Sequence, residues 1–238
     1  MRIVDAAGDR KASETAVALA RGDEVASLMK GHVHTDALMA AVVARETGLR
    51  TGRRLSHVFH MTVPASERVL MITDGAVNVA PDEGVLIDIA QNAIDMALAL
   101  GVDMPKVAML SGTESVINAM PSSVIAANVV RRAKAGEITG ALVEGPFAFD
   151  NAVSPEAARM KGIDNPVAGN ADILVVPNIE MGNGLFKMLV YFRSGLAAGV
   201  VMGARVPIVL TSRADPPEAR LASAAVAAII AAASGDAD

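Results

Sequence analysis

The chain has 238 residues, of which 52% are hydrophobic, and its formal net charge is −5 at pH 7. This length and composition allow a sizeable core in one or two domains, whereas the acidic balance argues against a nucleic-acid partner, which normally meets a basic surface. The chain contains no cysteine, which excludes disulfides, Cys-ligated metals and a cysteinyl acyl-enzyme.

No targeting or membrane segment is predicted at either end of the chain. Residues 1–10 are charged and lack the apolar run of a secretory signal. The apolar stretch at residues 222–233 is shorter than the roughly 20 residues that a bilayer-spanning helix needs. We therefore expect a cytoplasmic protein with no membrane partner.

Short apolar runs alternate with helical patterns along the whole chain. The predicted strands are residues 26–29, 58–63, 69–72, 107–110, 141–143, 173–176, 199–202 and 207–210. The predicted helices are residues 13–21, 36–46, 82–100, 122–135, 155–161, 181–192 and 217–233. Continuous runs such as I-L-V-V at 173–176 indicate strands that are buried on both faces. The alternation therefore predicts an α/β fold with a mostly parallel, doubly wound sheet and helices on both faces.

Two segments are candidates for places where the chain crosses between lobes, at residues 101–105 and 204–207. They predict a first lobe formed by residues 1–103 and 206–238, and a second lobe formed by residues 104–205.

The segment V-P-I-V-L-T-S-R-A-D, residues 206–215, carries the strongest local signal. A buried strand ends at Thr211, Ser212 and Arg213, and ligands bind at the carboxyl ends of strands in open α/β sheets. Arg213 offers a planar fork of donors that suits a phosphate, and Asp215 adds a possible base. The following helix directs its positive end to the same place. A capped helix with a surface arginine explains the segment equally well.

Other predicted strand ends also carry polar residues. These segments are K-G-H-V-H-T-D at 30–36 with Thr35, S-G-T-E-S at 111–115 with Ser111, E-G-P-F-A-F-D-N-A at 144–152 with Asp150, and P-N-I-E-M-G-N at 177–183 with Asn183, which leads into a helix carrying Lys187. Together they are typical of an enzyme cleft at one edge of a sheet. The histidine spacing matches no metal site, and no dinucleotide fingerprint, Walker motif or nucleophile elbow is present.

These segments, taken in order, resemble the phosphate acetyltransferase and butyryltransferase family, and most closely its phosphate butyryltransferase branch. The resemblance rests on K-G-H-V-H-T-D (30–36), G-L-R-T-G-R-R-L-S-H-V (48–58), I-T-D-G-A-V-N (72–78), P-K-V-A-M-L-S (105–111), M-P-S-S (120–123), residues 135–152, residues 167–183 and P-I-V-L-T-S-R-A-D (207–215). It implies a two-lobed fold similar to isocitrate and isopropylmalate dehydrogenases, with the site between the lobes.

The resemblance also implies the reaction and its participants. Acyl-CoA and inorganic phosphate would give acyl phosphate and CoA in a ternary complex, with coenzyme A as a substrate, no permanently bound cofactor and no metal. The catalytic residues implied are Ser212, Arg213 and an acid that is either Asp215 or Glu218. The substrate-binding residues implied are Thr211, Asp150 and Asn183, and the polar strand ends add Thr35, Ser111 and Lys187 as candidates.

The chain departs from the family at its start, where relatives carry a further segment of strand and helix units. We therefore expect a shortened first lobe, whose exposed sheet edge and apolar helix faces predict a homodimer. The shortening also leaves open a non-catalytic homologue that binds phosphate or CoA. A metal-dependent hydroxyacid dehydrogenase is a weaker alternative, since no compact aspartate cluster occurs late in the chain.

Overall fold

The structure of the protein is a computed structural model that describes residues 2–64, 66–211 and 215–235. The chain divides into two compact units. Unit 1 comprises Met1–Leu55 and Ala198–Asp238, and unit 2 comprises Ser56–Ala197.

The described residues form eight helices and eight strands. The helices are α1 (Gly8–Arg21), α2 (Thr35–Val42), α3 (Glu83–Ala99), α4 (Pro121–Arg132), α5 (Phe149–Val153), α6 (Pro155–Met160), α7 (Ile179–Arg193) and α8 (Pro217–Gly235), with a π-helical turn at Ala133–Glu137. The strands are β1 (Leu28–Met29), β2 (Ser56–Thr62), β3 (Leu70–Thr73), β4 (Lys106–Leu110), β5 (Leu142–Phe147), β6 (Ile173–Val175), β7 (Leu196–Met202) and β8 (Ile208–Val209).

In unit 1 the strands lie in the order β1, β8, β7. Strand β1 runs parallel to β8, with Leu28 opposite Ile208, and β8 runs antiparallel to β7. Helix α8 is attached to this sheet through Ser223, whose hydroxyl accepts the Gly199 N–H at 3.0 Å and donates to the Ala219 carbonyl at 2.7 Å. Since Ser223 is 3% exposed, this bond satisfies a buried backbone donor.

Helix α8 is longer than the apolar stretch at residues 222–233, which was expected from the sequence to be too short to span a membrane. It is 19 residues long, and by length and composition alone it could cross a membrane. Core helices of globular proteins meet the same criteria. In the structure the side chains that α8 buries are Ala219, Ser223, Val226, Ala227 and Ile230.

In unit 2 the strands lie in the order β2, β3, β6, β4, β5. Strand β2 runs antiparallel to β3, and the other four strands are parallel. Helix α3 begins where the Asp82 side chain accepts the Val85 N–H at 2.9 Å, and most of its residues between Leu86 and Ala97 are buried. On one face of the sheet, Phe59 of β2 stacks on Phe186 of α7 with centroids 4.0 Å apart.

The units differ from the predicted lobes at both boundaries. Residues 56–103 belong to unit 2 because β3 pairs with β6, with Met71 opposite Ile173. Residues 198–205 belong to unit 1 because β7 pairs with β8. The α/β class and the mostly parallel pairing are confirmed, and all eight predicted strands occur within a few residues of their expected bounds.

Candidate active site

The carboxyl ends of four parallel strands meet at one edge of unit 2. Because β3, β6, β4 and β5 are mutually parallel, the segments that follow them lie side by side. Those segments are residues 74–78, 177–183, 111–115 and 148–151. Ligands of open α/β sheets bind at this kind of edge, and we call this set of segments the carboxyl edge of unit 2.

Asp74 organises the turn after β3. It is 2% exposed, and its carboxylate accepts the backbone N–H groups of Ala76, Val77 and Asn78 at 2.9, 3.0 and 3.0 Å. The Asn78 side chain donates to it as well, at 2.7 Å. A carboxylate with four donors is a structural acceptor that holds the turn. It is absent from the predicted site residues, although an Asp-Gly pair directly after a strand is a recognisable signal.

The first turn of α7 packs directly against the turn after β3. A Cβ atom placed on Gly182 would lie 2.6 Å from the Asp74 carbonyl oxygen, so only glycine permits this approach. Asn183 Nδ2 donates to the Gly75 carbonyl at 3.3 Å. The predicted residue Asn183 therefore lies at the carboxyl edge, where its amide helps to join two of the segments.

Ser111 lies at the end of β4, where it is 2% exposed. Its N–H donates to the Phe147 carbonyl at 2.8 Å, which aligns the ends of β4 and β5. Its hydroxyl shares a hydrogen bond of 2.9 Å with the Ser122 hydroxyl and donates to Met120 Sδ at 3.3 Å. Ser111 thus shapes the loop after β4 and links it to the start of α4.

Glu114 joins the loop after β4 to the helices that follow β5. Its carboxylate pairs with Lys161 Nζ at 2.9 Å and accepts Asn151 Nδ2 at 3.1 Å. The hydrogen bond from Lys161 lowers the pKa of Glu114, with smaller contributions from its own backbone and from Asn151. The hydrogen bond to Glu114 in turn raises the pKa of Lys161.

The amide of Asn151 is fully buried, whereas the neighbouring Asp150 is exposed. Among the described residues, Asn151 Oδ1 has no hydrogen-bond partner. The negative charge of Asp150 adds to the raised pKa of Lys161, which indicates that the two are neighbours. Sequence reasoning selected Asp150 and missed Glu114, Asn151 and Lys161, because their contacts join distant segments.

Lys187 lies further along α7 than Asn183, and its assignment to the site stays a prediction. It is exposed on α7, eight residues after the helix begins at Ile179. At 1.5 Å of rise per residue, this places its backbone about 12 Å along the helix from Ile179.

In unit 1 the parallel strands β1 and β8 end side by side. The Thr211 hydroxyl donates to the Lys30 carbonyl at 3.0 Å, and both residues are 8% exposed. Lys30 Nζ donates to the carbonyls of Gly31 and Val33, each at 3.2 Å. Thr211 therefore fastens the two strand ends together.

The remaining predicted residues of unit 1 follow these strand ends. Thr35 is exposed at the start of α2, Asp215 is half-buried, and Glu218 is exposed in the first turn of α8. Ser212 and Arg213 lie outside the described residues. Within the described ranges, no group of three His, Asp or Glu side chains could hold a metal ion.

Comparison with known proteins identifies the chain's relatives. The family model described as phosphate acetyl/butaryl transferase matches residues 4–228. The phosphate acetyltransferase of Rhizobium meliloti is 54% identical over 97% of this chain and 73% of its own length. The phosphate butyryltransferase of Clostridium beijerinckii is 41% identical over 97% of this chain and 76% of its own length. The chain spans about two thirds to three quarters of the length of the curated relatives it matches.

A solved structure shares the fold closely. The branched-chain phosphotransacylase from Enterococcus faecalis V583 has a TM-score of 0.88 and 37% identity, covering 96% of this chain and 82% of its own. The predicted family is confirmed, but relatives with both names match, so the butyryl branch is not singled out. By sequence and by fold, this chain belongs to the phosphate acetyl/butaryl transferase family of acyltransferases.

Proposed function

We propose that the chain catalyses reversible transfer of a short acyl group between coenzyme A and inorganic phosphate. The observation that carries this proposal is the family match, which runs over residues 4–228 and includes every segment of the carboxyl edge of unit 2. The name of the Enterococcus faecalis relative, a branched-chain phosphotransacylase, supports acyl groups larger than acetyl as substrates.

In the forward reaction a phosphate oxygen attacks the thioester carbonyl. A C–O bond forms, the C–S bond breaks, and the CoA sulfur leaves as thiolate or takes a proton. No covalent enzyme intermediate is required, which agrees with the absence of cysteine from the chain. Holding both substrates in the correct orientation would supply a large part of the rate enhancement.

The residue roles remain those implied by the family's motifs. Arg213 would hold the phosphate and offset its charge, and Ser212 would donate to the developing oxyanion or the leaving sulfur. Thr211 suits this donor role less well, because its hydroxyl donates to the Lys30 carbonyl. In the reverse reaction Asp215 or Glu218 would accept the thiol proton, a contribution of typically 10²–10⁴-fold.

The alternative is a homologue that binds phosphate or CoA without turnover. One assay separates the two: release of free thiol from acetyl-, propionyl- and butyryl-CoA, with and without phosphate. Phosphate-dependent thiol release supports the enzyme, with propionyl or butyryl preferred over acetyl or equal to it. Binding of CoA without thiol release from any of the three would establish the binding homologue.

Two further properties belong to the same proposal. A cytoplasmic location fits an enzyme whose substrates are CoA thioesters and inorganic phosphate. A homodimer fits the exposed apolar side chains of α7, since Tyr191 is 76% and Phe192 is 83% exposed and large exposed apolar groups are often covered by a partner. The net charge of −5 gives no support for nucleic acid as a partner.

A further inference from the structure

A cavity of about 350 Å³ lies in unit 2, at the carboxyl ends of β4 and β6. Its inner wall is apolar and includes Leu86, Met109, Ala126 and Val175, each no more than 3% exposed to solvent. Side chains of helices α3 and α4 form the wall of the cavity that faces the strands. The volume falls within the range of about 300–1,000 Å³ that is usual for small-molecule sites.

The polar side chains that line the cavity are all engaged with the protein. Asp82 accepts the Val85 N–H at 2.9 Å, Asn178 accepts the Met181 N–H at 3.0 Å, and Ser122 bonds to Ser111 at 2.9 Å. Among the described residues that line the cavity there is no lysine or arginine. The interior therefore suits an apolar group and disfavours phosphates or the charged parts of CoA.

The cavity opens beside the N-terminal ends of three helices. Asp82 and Asn178 directly precede α3 and α7, and Ser122 lies in the first turn of α4. The partial positive charge of these helix ends favours an oxygen on which negative charge develops. The carboxylate of Asp82 at α3 and that of Glu180 in the first turn of α7 offset this effect, which leaves α4 as the favourable end.

We propose that this cavity receives the alkyl chain of the acyl group, with the carbonyl at its opening, and that it sets the acyl chain length that the enzyme accepts. The inference rests on the proposed function. It assigns the specificity to Ala126 and Ile125 of α4, both of which line the cavity. In an apolar pocket one methylene group changes kcat/KM by about 10- to 200-fold.

The experiment fills part of the cavity with a larger side chain and measures the preference of the enzyme for acyl chain length. Ala126→Leu adds three carbons to the wall, against the two by which butyryl exceeds acetyl. We expect the ratio of kcat/KM for butyryl-CoA to that for acetyl-CoA to fall at least tenfold. Ala127→Leu is the matched control on the same helix, because Ala127 does not line the cavity, and its ratio should equal that of the unmodified protein.

An unchanged ratio in Ala126→Leu, with a melting temperature close to that of the control, would overturn the proposal. So would an equal loss in both variants. If Ala126→Leu does not fold, Ile125→Ala is tested in its place. This substitution enlarges the cavity, so it should raise the ratio of kcat/KM for butyryl-CoA to that for acetyl-CoA. An unchanged ratio would overturn the proposal.

Failure of the proposed function is separable from failure of this inference. If the unmodified protein releases no thiol, calorimetric titration with butyryl-CoA and with CoA tests whether the cavity still binds the acyl chain. Tighter binding of butyryl-CoA than of CoA that is lost in Ala126→Leu and kept in Ala127→Leu supports an acyl pocket without turnover. Equal affinity for the two ligands overturns it.

Discussion

At the scale of single residues, the polar groups at the strand ends of each unit divide by whether they form hydrogen bonds within the fold. Asp74, Ser111 and Thr211 make hydrogen bonds within the fold, so they shape the strand ends. The groups implied to act on substrate are Ser212 and Arg213. The residues that shape the strand ends matter for them, because misplacing a reacting group by even about 1 Å lowers the rate of catalysis.

Arg213→Lys should lower kcat/KM for phosphate by about 10²-fold while leaving the melting temperature unchanged. Lysine keeps the positive charge but not the planar pair of donors. Thiol-release kinetics over a range of phosphate concentrations measure the effect. The control is Arg205→Lys, an exposed arginine paired with Asp23 at 3.1 Å, and phosphate saturation of Arg213→Lys identical to that of this control would refute the role.

Glu114 predicts a pH dependence of stability with a definite sign. Its pKa in the folded chain is lowered, first by the hydrogen bond from Lys161. Its contribution is therefore present above the unfolded pKa, roughly 4.3, and is lost as the pH falls through the lower folded value. The pair is partly exposed and screened by solvent, so the loss of stability should be small.

Melting temperatures from pH 7 to pH 3 check this prediction. Glu114→Gln should show a shallower decline in acid than the unmodified chain, because it lacks the titrating carboxylate. Glu67→Gln, an exposed carboxylate in the loop before β3, is the control. A decline of equal slope in Glu114→Gln and the unmodified chain would show that the ion pair contributes nothing.

At the scale of elements, the start of α7 depends on close backbone contact with the turn after β3. Gly182→Ala should destabilise the fold by about 1–3 kcal/mol, because its Cβ would lie 2.6 Å from the Asp74 carbonyl and 2.9 Å from Gly75 Cα. Backbone atoms cannot move aside as a flexible side chain can. We also expect lower activity, since this contact positions Asn183.

Gly184→Ala provides the matched control on the same helix. No atom lies within 4 Å of a Cβ placed on Gly184, so alanine should stabilise α7 by roughly 0.5–1 kcal/mol. Urea denaturation of both variants gives the comparison. Equal and small changes in the free energy of unfolding would mean that α7 shifts freely away from the turn.

At the scale of the whole molecule, we predict a homodimer. Multi-angle light scattering at micromolar concentration should give twice the 24.4 kDa mass of one chain. The physical reason is that Tyr191 and Phe192, two of the six aromatic residues, are largely exposed to solvent. A mass of one chain at every concentration, with cooperative thermal unfolding, would show that a partner copy is not required.

Part of the site was predictable because some signals are local. Ser111 directly follows β4, Asn183 lies in the segment after β6, and these two segments meet at the carboxyl edge. Asn151 and Lys161 were not predictable in this way, since their bonds to Glu114 span 37 and 47 residues. Lys187 lies about 12 Å along α7 from the start of the helix, and its role at the site stays a prediction.

The α/β class, the eight strands and the family could be predicted from local patterns, because hydrophobic runs and strand-end motifs are properties of neighbouring residues. That β6 lies between β3 and β4, which places residues 56–103 in unit 2, depends on long-range strand pairing and is known only from the folded chain. The same holds for the apolar cavity that α3 and α4 leave beside β4 and β6. Strand order and cavities depend on packing between segments far apart in the chain, which local patterns do not encode.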